Sequence, residues 1–194
     1  MSTRKDKFSK KDKKYMSLAL ILANARHGLT GENPSVGCVI VKNDEVISIG
    51  QTGYNGRPHA EYNAIKNSNE TLEGSTMYVT LEPCNHYGQT PPCTKEIIKN
   101  KISKIIYSVE DVDEKVKGKS FKILKSKNII VKKNLLYKEI INFYKPYFLN
   151  RKNKIPYVTG KIAVSKNNLI FSKGVKRITD IHSDKLTHYL RYKN

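Results

Sequence analysis

Apolar positions along the chain change period several times, and the changes mark out its elements. Between residues 11 and 26 they fall at Tyr15, Leu18, Ala19, Leu22 and Ala25, the spacing of one face of a helix. Gly28 is a natural stop for it. Residues 36–41 (Val-Gly-Cys-Val-Ile-Val) and 46–49 then read as two strands, joined by the turn-prone Lys42-Asn43-Asp44-Glu45. Pro58 is expected to open a helix that carries His59 and Glu61 in its first turn, where proline is tolerated. Strands follow at 76–81, 104–109 and 129–131, with helices starting near Cys93 and spanning 119–126 and 135–149. Strands alternating with helices after an opening hairpin predict a three-layer α/β/α sandwich on a mixed sheet. The hairpin is antiparallel and the later crossovers parallel. No internal repeat is visible.

Three short segments carry the chemistry: Pro58-His59-Ala60-Glu61, Glu82-Pro83-Cys84 and Pro91-Pro92-Cys93. They supply one imidazole, two thiols, and a carboxylate two residues after the imidazole, in the order used by zinc deaminases. Two thiolates and a neutral imidazole balance Zn²⁺ and leave the fourth tetrahedral position for water. Glu61 is then the group that carries protons between water, substrate ring and leaving amine. A closed, purely structural zinc site needs a fourth ligand. His86 is the only nearby candidate, and it lies awkwardly close to Cys84 in the chain. A structural site also has no use for a carboxylate at position 61. Helix N-termini depress thiol pKa values, so both cysteines are expected to reach the metal as thiolates.

The common deaminase signature places two residues between its cysteines. Here Asn85 through Pro92 intervene. A loop that leaves the metal and returns to it must arch over the site, which sets His86, Gln89 and Thr90 where they can contact a substrate. His86 is read as such a contact and not as a ligand.

With this loop in view, the chain resembles the pyrimidine deaminase domain of the bifunctional riboflavin-biosynthesis deaminase/reductase family. The resemblance rests on Asn33-Pro34-Ser35-Val36-Gly37-Cys38-Val39-Ile40-Val41, on His59-Ala60-Glu61, and on the unbroken block from Tyr78 to Cys93. It implies a cytidine-deaminase-like fold, with Zn²⁺ held by His59, Cys84 and Cys93 and with Glu61 catalytic. It also implies that Asn33 contacts the substrate, 2,5-diamino-6-ribosylamino-4(3H)-pyrimidinone 5′-phosphate, and that the protein self-associates. The products would be 5-amino-6-ribosylaminouracil 5′-phosphate and ammonia. Arg57, beside Pro58, reads equally as a phosphate contact and as a solvated arginine.

The chain departs from the family pattern in three places. Thr52 stands where the family often has histidine. Asp111-Val112-Asp113-Glu114 replaces Asp-Pro-Asn-Pro, leaving Lys115 and Lys117 as cations that would compensate toward an anion. Residues 155–163 resemble the first strand of the family's reductase domain and 178–191 its first helix, but Ser165-Lys166-Asn167-Asn168 replaces Ser-Leu-Asp-Gly. The expected organisation is therefore a deaminase domain over 1–151, with residues 1–10 as a basic tail. A short, incomplete reductase-like segment over 152–194 would follow. No reductase activity is expected of it, which leaves room for a separate reductase.

Charge brings a rival. A formal net charge of +19 is the footprint of a nucleic-acid binder, so a deaminase of tRNA adenosine, or of another aminopyrimidine, competes for the same motif. A zinc-stabilised RNA-binding module is the non-enzyme alternative. Yet arginine occurs only at Arg4, Arg26, Arg57, Arg151, Arg177 and Arg191, and the lysines are scattered along the whole chain. That distribution argues for a solvated surface and a field that steers a phosphorylated small molecule, with no specific nucleic acid. No apolar run approaches the roughly 20 residues a membrane helix needs, and residues 1–14 lack the apolar core of a secretory signal. Two thiols assigned to metal, with Cys38 read as a buried structural thiol, suit a cytoplasmic protein.

Overall fold

Ser9 starts the first helix by a reciprocal cap, its hydroxyl accepting the Asp12 N–H while the Asp12 carboxylate accepts the Ser9 N–H. The helix, α1, runs Lys10–Ala25. In the computed structural model, which describes residues 8–88, 90–170, 173–174 and 178–193, the further elements are β1 (Gly37–Lys42), β2 (Glu45–Gln51), α2 (Ala60–Lys66), β3 (Thr76–Leu81), α3 (Cys93–Lys99), β4 (Lys104–Val109), α4 (Lys119–Ser126), β5 (Ile130–Lys133), α5 (Tyr137–Asn153) and α6 (Ile181–Lys193). A single 3₁₀ turn, Tyr54–Gly56, sits between β2 and α2.

The strands form one sheet in the order β2-β1-β3-β4-β5. β1 is antiparallel to both β2 and β3, whereas β3, β4 and β5 are parallel. β1, β3 and β4 are buried along almost their whole length, as strands covered on both faces must be. α1 and α5 pack on one face, while α2, α3 and α4 follow one another along the other. This is the mixed-sheet sandwich that the apolar pattern predicts.

Close approach of helices to the sheet depends on two glycines. A Cβ at Gly37 would run into the Ala19 carbonyl of α1, and one at Gly50 into the Ala60 carbonyl and Ala64 nitrogen of α2. Both neighbours are backbone and cannot swing aside. Gly50→Ala is therefore expected to lower stability by about 1–3 kcal/mol, the usual range for overpacking. The change would be read as a lower urea midpoint at unchanged slope.

The topology gathers the loops. Parallel β3 and β4 end at the same edge of the sheet. Because β1 runs against β3, that edge also receives the start of β1 and the end of β2, with Gly37 paired to Gln51 and Cys38 to Val79. The segments 33–36, 52–59, 82–93 and 110–118 all converge there, at the carboxyl ends of the parallel strands where α/β sheets place ligands.

Two expectations need correction. Helix α2 begins at Ala60, after a cis Arg57-Pro58 bond, so Pro58 does not open it. His59 is the cap residue, with an extended backbone (φ −67°, ψ 156°) and a carbonyl that accepts the Asn63 N–H. The second concerns residues 155–163, which form no strand. Ile155, Tyr157, Val158 and Ile162 are exposed, and among the described residues no strand accepts the ladder bonds such a segment offers. A helix does follow, as α6. Among the described residues no helix is long and apolar enough to cross a membrane.

Candidate active site

His59, Cys84 and Cys93 come from two different loops onto one point. His59 caps α2, Cys93 is the first residue of α3, and Cys84 lies three residues beyond β3. The loop between the cysteines is closed at its base, where the Thr94 N–H donates to the Cys84 carbonyl and the Cys93 N–H to the Cys84 sulfur. Nδ1 of His59 and both sulfurs lie within 4.8 Å of one another. The imidazole nitrogen is 3.3 Å from the Cys93 sulfur and 3.5 Å from that of Cys84. Tetrahedral zinc, with Zn–S of about 2.3 Å and Zn–N of about 2.0–2.1 Å, sets such separations near ~3.6 Å. The donor set therefore fits that ion, with three protein ligands and one position left over. His86 is not part of the group; it is exposed and lines the cavity mouth.

The fold corrects the placement expected for one thiol. Only Cys93 starts a helix. Cys84 sits in the loop, and hydrogen bonding from Cys93 together with the neighbouring His59 outweighs its burial and holds it well below the usual thiol range. Cys93 is displaced the other way, because its thiol donates to the Cys84 sulfur and is deeply buried. Cys38 is fully buried in β1, and burial pushes its thiol well up, which matches the structural role read for it.

Glu61, on the first turn of α2, is 4% exposed and faces the same cavity. Burial pushes its carboxyl up to about 7, with His59 opposing the shift and Cys84 adding to it. A carboxyl with that affinity both takes and gives protons near neutral pH.

The cavity, about 640 Å³ including its open mouth, has Asn33, Pro34, Thr52, Arg57, His86 and Leu81 in its walls beside the histidine–cysteine group. Thr52 is buried, with its hydroxyl accepting the Val36 N–H and donating to the Pro34 carbonyl. It thereby holds the segment that presents Asn33. Thr90 is engaged by Arg57, whose Nη1 donates to its hydroxyl at 2.6 Å, and it does not line the cavity. Gln89 lies outside the described residues. Glu82, from the segment ending at Cys84, and Asp111 and Asp113, from the segment that departs from the family pattern, reach the cavity wall, as do two residues that motif reading missed, Tyr147 and Arg151. The last two come from α5, far from any motif. Lys115 and Lys117 are exposed and do not line it.

The chain is similar to known proteins over most of its length. The family model described as the cytidine and deoxycytidylate deaminase zinc-binding region matches residues 9–109. A diaminohydroxyphosphoribosylamino-pyrimidine deaminase of Buchnera aphidicola subsp. Schizaphis graminum is 42% identical over 146 residues, 75% of this chain and 99% of the relative. The riboflavin biosynthesis protein RibD of Aquifex aeolicus is 37% identical over 182 residues, 93% of this chain and 51% of the relative. Among solved structures, a diaminohydroxyphosphoribosylaminopyrimidine deaminase/5-amino-6-(5-phosphoribosylamino)uracil reductase from Thermotoga maritima superposes with a TM-score of 0.85 at 31% identity, covering 92% of this chain and 52% of that one. The chain thus spans about half the length of the Aquifex and Thermotoga relatives and nearly all of the Buchnera protein. It belongs to the cytidine and deoxycytidylate deaminase family, and within it to the diaminohydroxyphosphoribosylaminopyrimidine deaminases.

Proposed function

We propose that this chain hydrolytically deaminates 2,5-diamino-6-ribosylamino-4(3H)-pyrimidinone 5′-phosphate in riboflavin biosynthesis, releasing ammonia and 5-amino-6-ribosylaminouracil 5′-phosphate. The observation that carries the proposal is the buried Glu61 carboxyl lining one cavity with His59 and Cys84, which converge with Cys93, in a chain that covers 99% of a diaminohydroxyphosphoribosylamino-pyrimidine deaminase over 75% of its own length. A zinc ion held by those three residues supplies a water acidic enough to ionise near neutral pH.

Glu61 would accept a proton from the attacking water and deliver it to the ring nitrogen next to the carbon under attack. Once the C–O bond has formed, it would take the second proton from the hydroxyl on that carbon and give it to the amine as the C–N bond breaks and the product carbonyl forms, so one carboxyl serves as base and as acid. Asn33 and His86, on opposite loops, orient the ring, and burial of Glu61 keeps bulk water from competing for its proton. Gln89 and Thr90 complete the substrate loop in this reading, Thr90 acting through its bond to Arg57. Residues 1–151 form the deaminase unit. Residues 152–194 carry no reductase activity, since their candidate strand is unpaired. Reduction of the product then falls to another domain or to a separate reductase. Free thiols at the site suit a cytoplasmic setting, and the enzyme self-associates.

The test is direct. The purified protein, loaded with zinc and given the diaminopyrimidine phosphate, is expected to release ammonia stoichiometrically with loss of substrate. An inactive, zinc-replete preparation would overturn the assignment. Supplying the deaminated product with NADPH is expected to leave the nicotinamide absorbance unchanged.

A further inference from the structure

Apart from Glu61 beside the histidine–cysteine group and Arg151 from α5, the charged groups in the cavity wall are segregated. Glu82, Asp111 and Asp113 enter from the ends of β3 and β4, whereas Arg57 enters from the end of β2. In the order β2-β1-β3-β4-β5, three strand spacings, roughly 14 Å, separate the roots of the β2 and β4 loops. A dianionic phosphate is repelled at the β4 end and attracted at the β2 end. Among the described residues two Lys or Arg side chains reach this wall, Arg57 and Arg151. Arg151 donates to the Glu32 carbonyl and lies over the Tyr147 ring. Arg57 has no carboxylate in ion-pair contact among the described residues.

We infer that Arg57 is the specificity-determining residue that reads the phosphate, so that the phosphorylated ribosyl pyrimidine is preferred over its unphosphorylated nucleoside; the inference rests on the deaminase reading above. The guanidinium is half-buried and lodged against the substrate loop. Nη1 donates to the Thr90 hydroxyl at 2.6 Å, and Nη2 lies so near Gly88 that a Cβ there would stand 3.3 Å from it. Held in this way, the planar fork has its orientation fixed before substrate arrives, and its remaining N–H groups are available for paired bonds to phosphate oxygens. Gly88 keeps that space open, and Thr90 aims the fork. Lysine at position 57 would keep the charge and lose the paired geometry.

The experiment compares kcat/KM for the phosphorylated substrate and for its dephosphorylated nucleoside, by ammonia release, in the zinc-loaded full chain. The wild type is measured first: no turnover of either compound would sink the deaminase reading, whereas turnover of both sets the ratio that tests this one. Arg57→Gln is expected to reduce that ratio on the order of 10- to 100-fold, the range for losing charge-assisted hydrogen bonds. The loss should fall mainly in KM for the phosphorylated substrate, with a smaller loss on the nucleoside from the broken bond to Thr90. Arg57→Lys should retain part of the ratio. Lys127→Gln, which removes an exposed charge remote from the cavity, should keep it within about twofold if steering is not the cause. Inorganic phosphate should inhibit the wild type competitively and Arg57→Gln at least tenfold more weakly. An unchanged ratio in Arg57→Gln, or an equal loss on both compounds with phosphate inhibition intact, would overturn the inference and leave Arg57 as a loop tether through Thr90.

Discussion

Glu61→Gln is expected to fold, keep its zinc and lose about 10²–10⁴-fold in kcat, the usual worth of a general acid–base group. The amide fills the same volume on the first turn of α2 and makes no demand for ionisation inside a wall where the native side chain is 4% exposed. Stability to urea should therefore match or exceed that of the parent, since an uncharged isostere costs less to bury than a carboxyl that must ionise. What the amide cannot do is take a proton from water and return it to the ring nitrogen and the amine. KM should change little, because Asn33, His86 and Arg57 are untouched. Parallel measurements of zinc content, urea midpoint and ammonia release separate these effects. Parent-like turnover would make Glu61 a structural carboxylate at a helix start and remove the proton path from the mechanism.

The parts of this site visible from sequence are those written in local spacing. His59-Ala60-Glu61 and the block ending at Cys93 stand out because an imidazole, two thiols and a carboxyl can be brought to one point from a helix cap and a short loop. Strands β3 and β4 match their expected bounds, since continuous apolar runs between turn residues have no other use in a covered sheet. The opposite holds for residues 155–163. That run has the composition of a strand, but a strand exists only with a partner, and pairing is a property of the fold. Pro58 misled for a related reason. A proline one residue before a cap reads like a proline inside the first turn, and only the extended backbone of His59 tells them apart.

The remaining cavity wall was not legible because sheet order assembles it. Asp111 reaches the site because β4 runs parallel to β3, and Tyr147 and Arg151 because α5 returns across the face next to β4. Tyr144 of the same helix, fully buried, donates to the Ser35 carbonyl at 3.0 Å and shares a 2.6 Å hydrogen bond with the Thr80 hydroxyl. It joins the strand leading to Cys84 to the loop that presents Asn33. No motif announces such a tie, since its members lie 64 and 109 positions apart.

Cys84→Ser and Cys93→Ser should each fall from about one zinc per chain to near none, because a three-ligand site retains little affinity when a thiolate becomes a neutral hydroxyl. Activity should vanish with the metal. The domain itself should survive. The loop between the two positions is held at its base by the bond from the Thr94 N–H to the Cys84 carbonyl, which involves no side chain, and the buried core of β1, β3 and β4 lies apart from it. A chelator should accordingly lower the melting temperature of the wild type, by removing a ligand that binds only the folded state, and leave that of either serine variant unmoved. Cys38→Ala separates metal loss from thiol loss. Its sulfur is buried in β1 outside the group of three, so this variant should keep its zinc while losing some packing. Wild-type zinc content in Cys84→Ser or Cys93→Ser, or metal loss in Cys38→Ala, would show that the ion is held elsewhere.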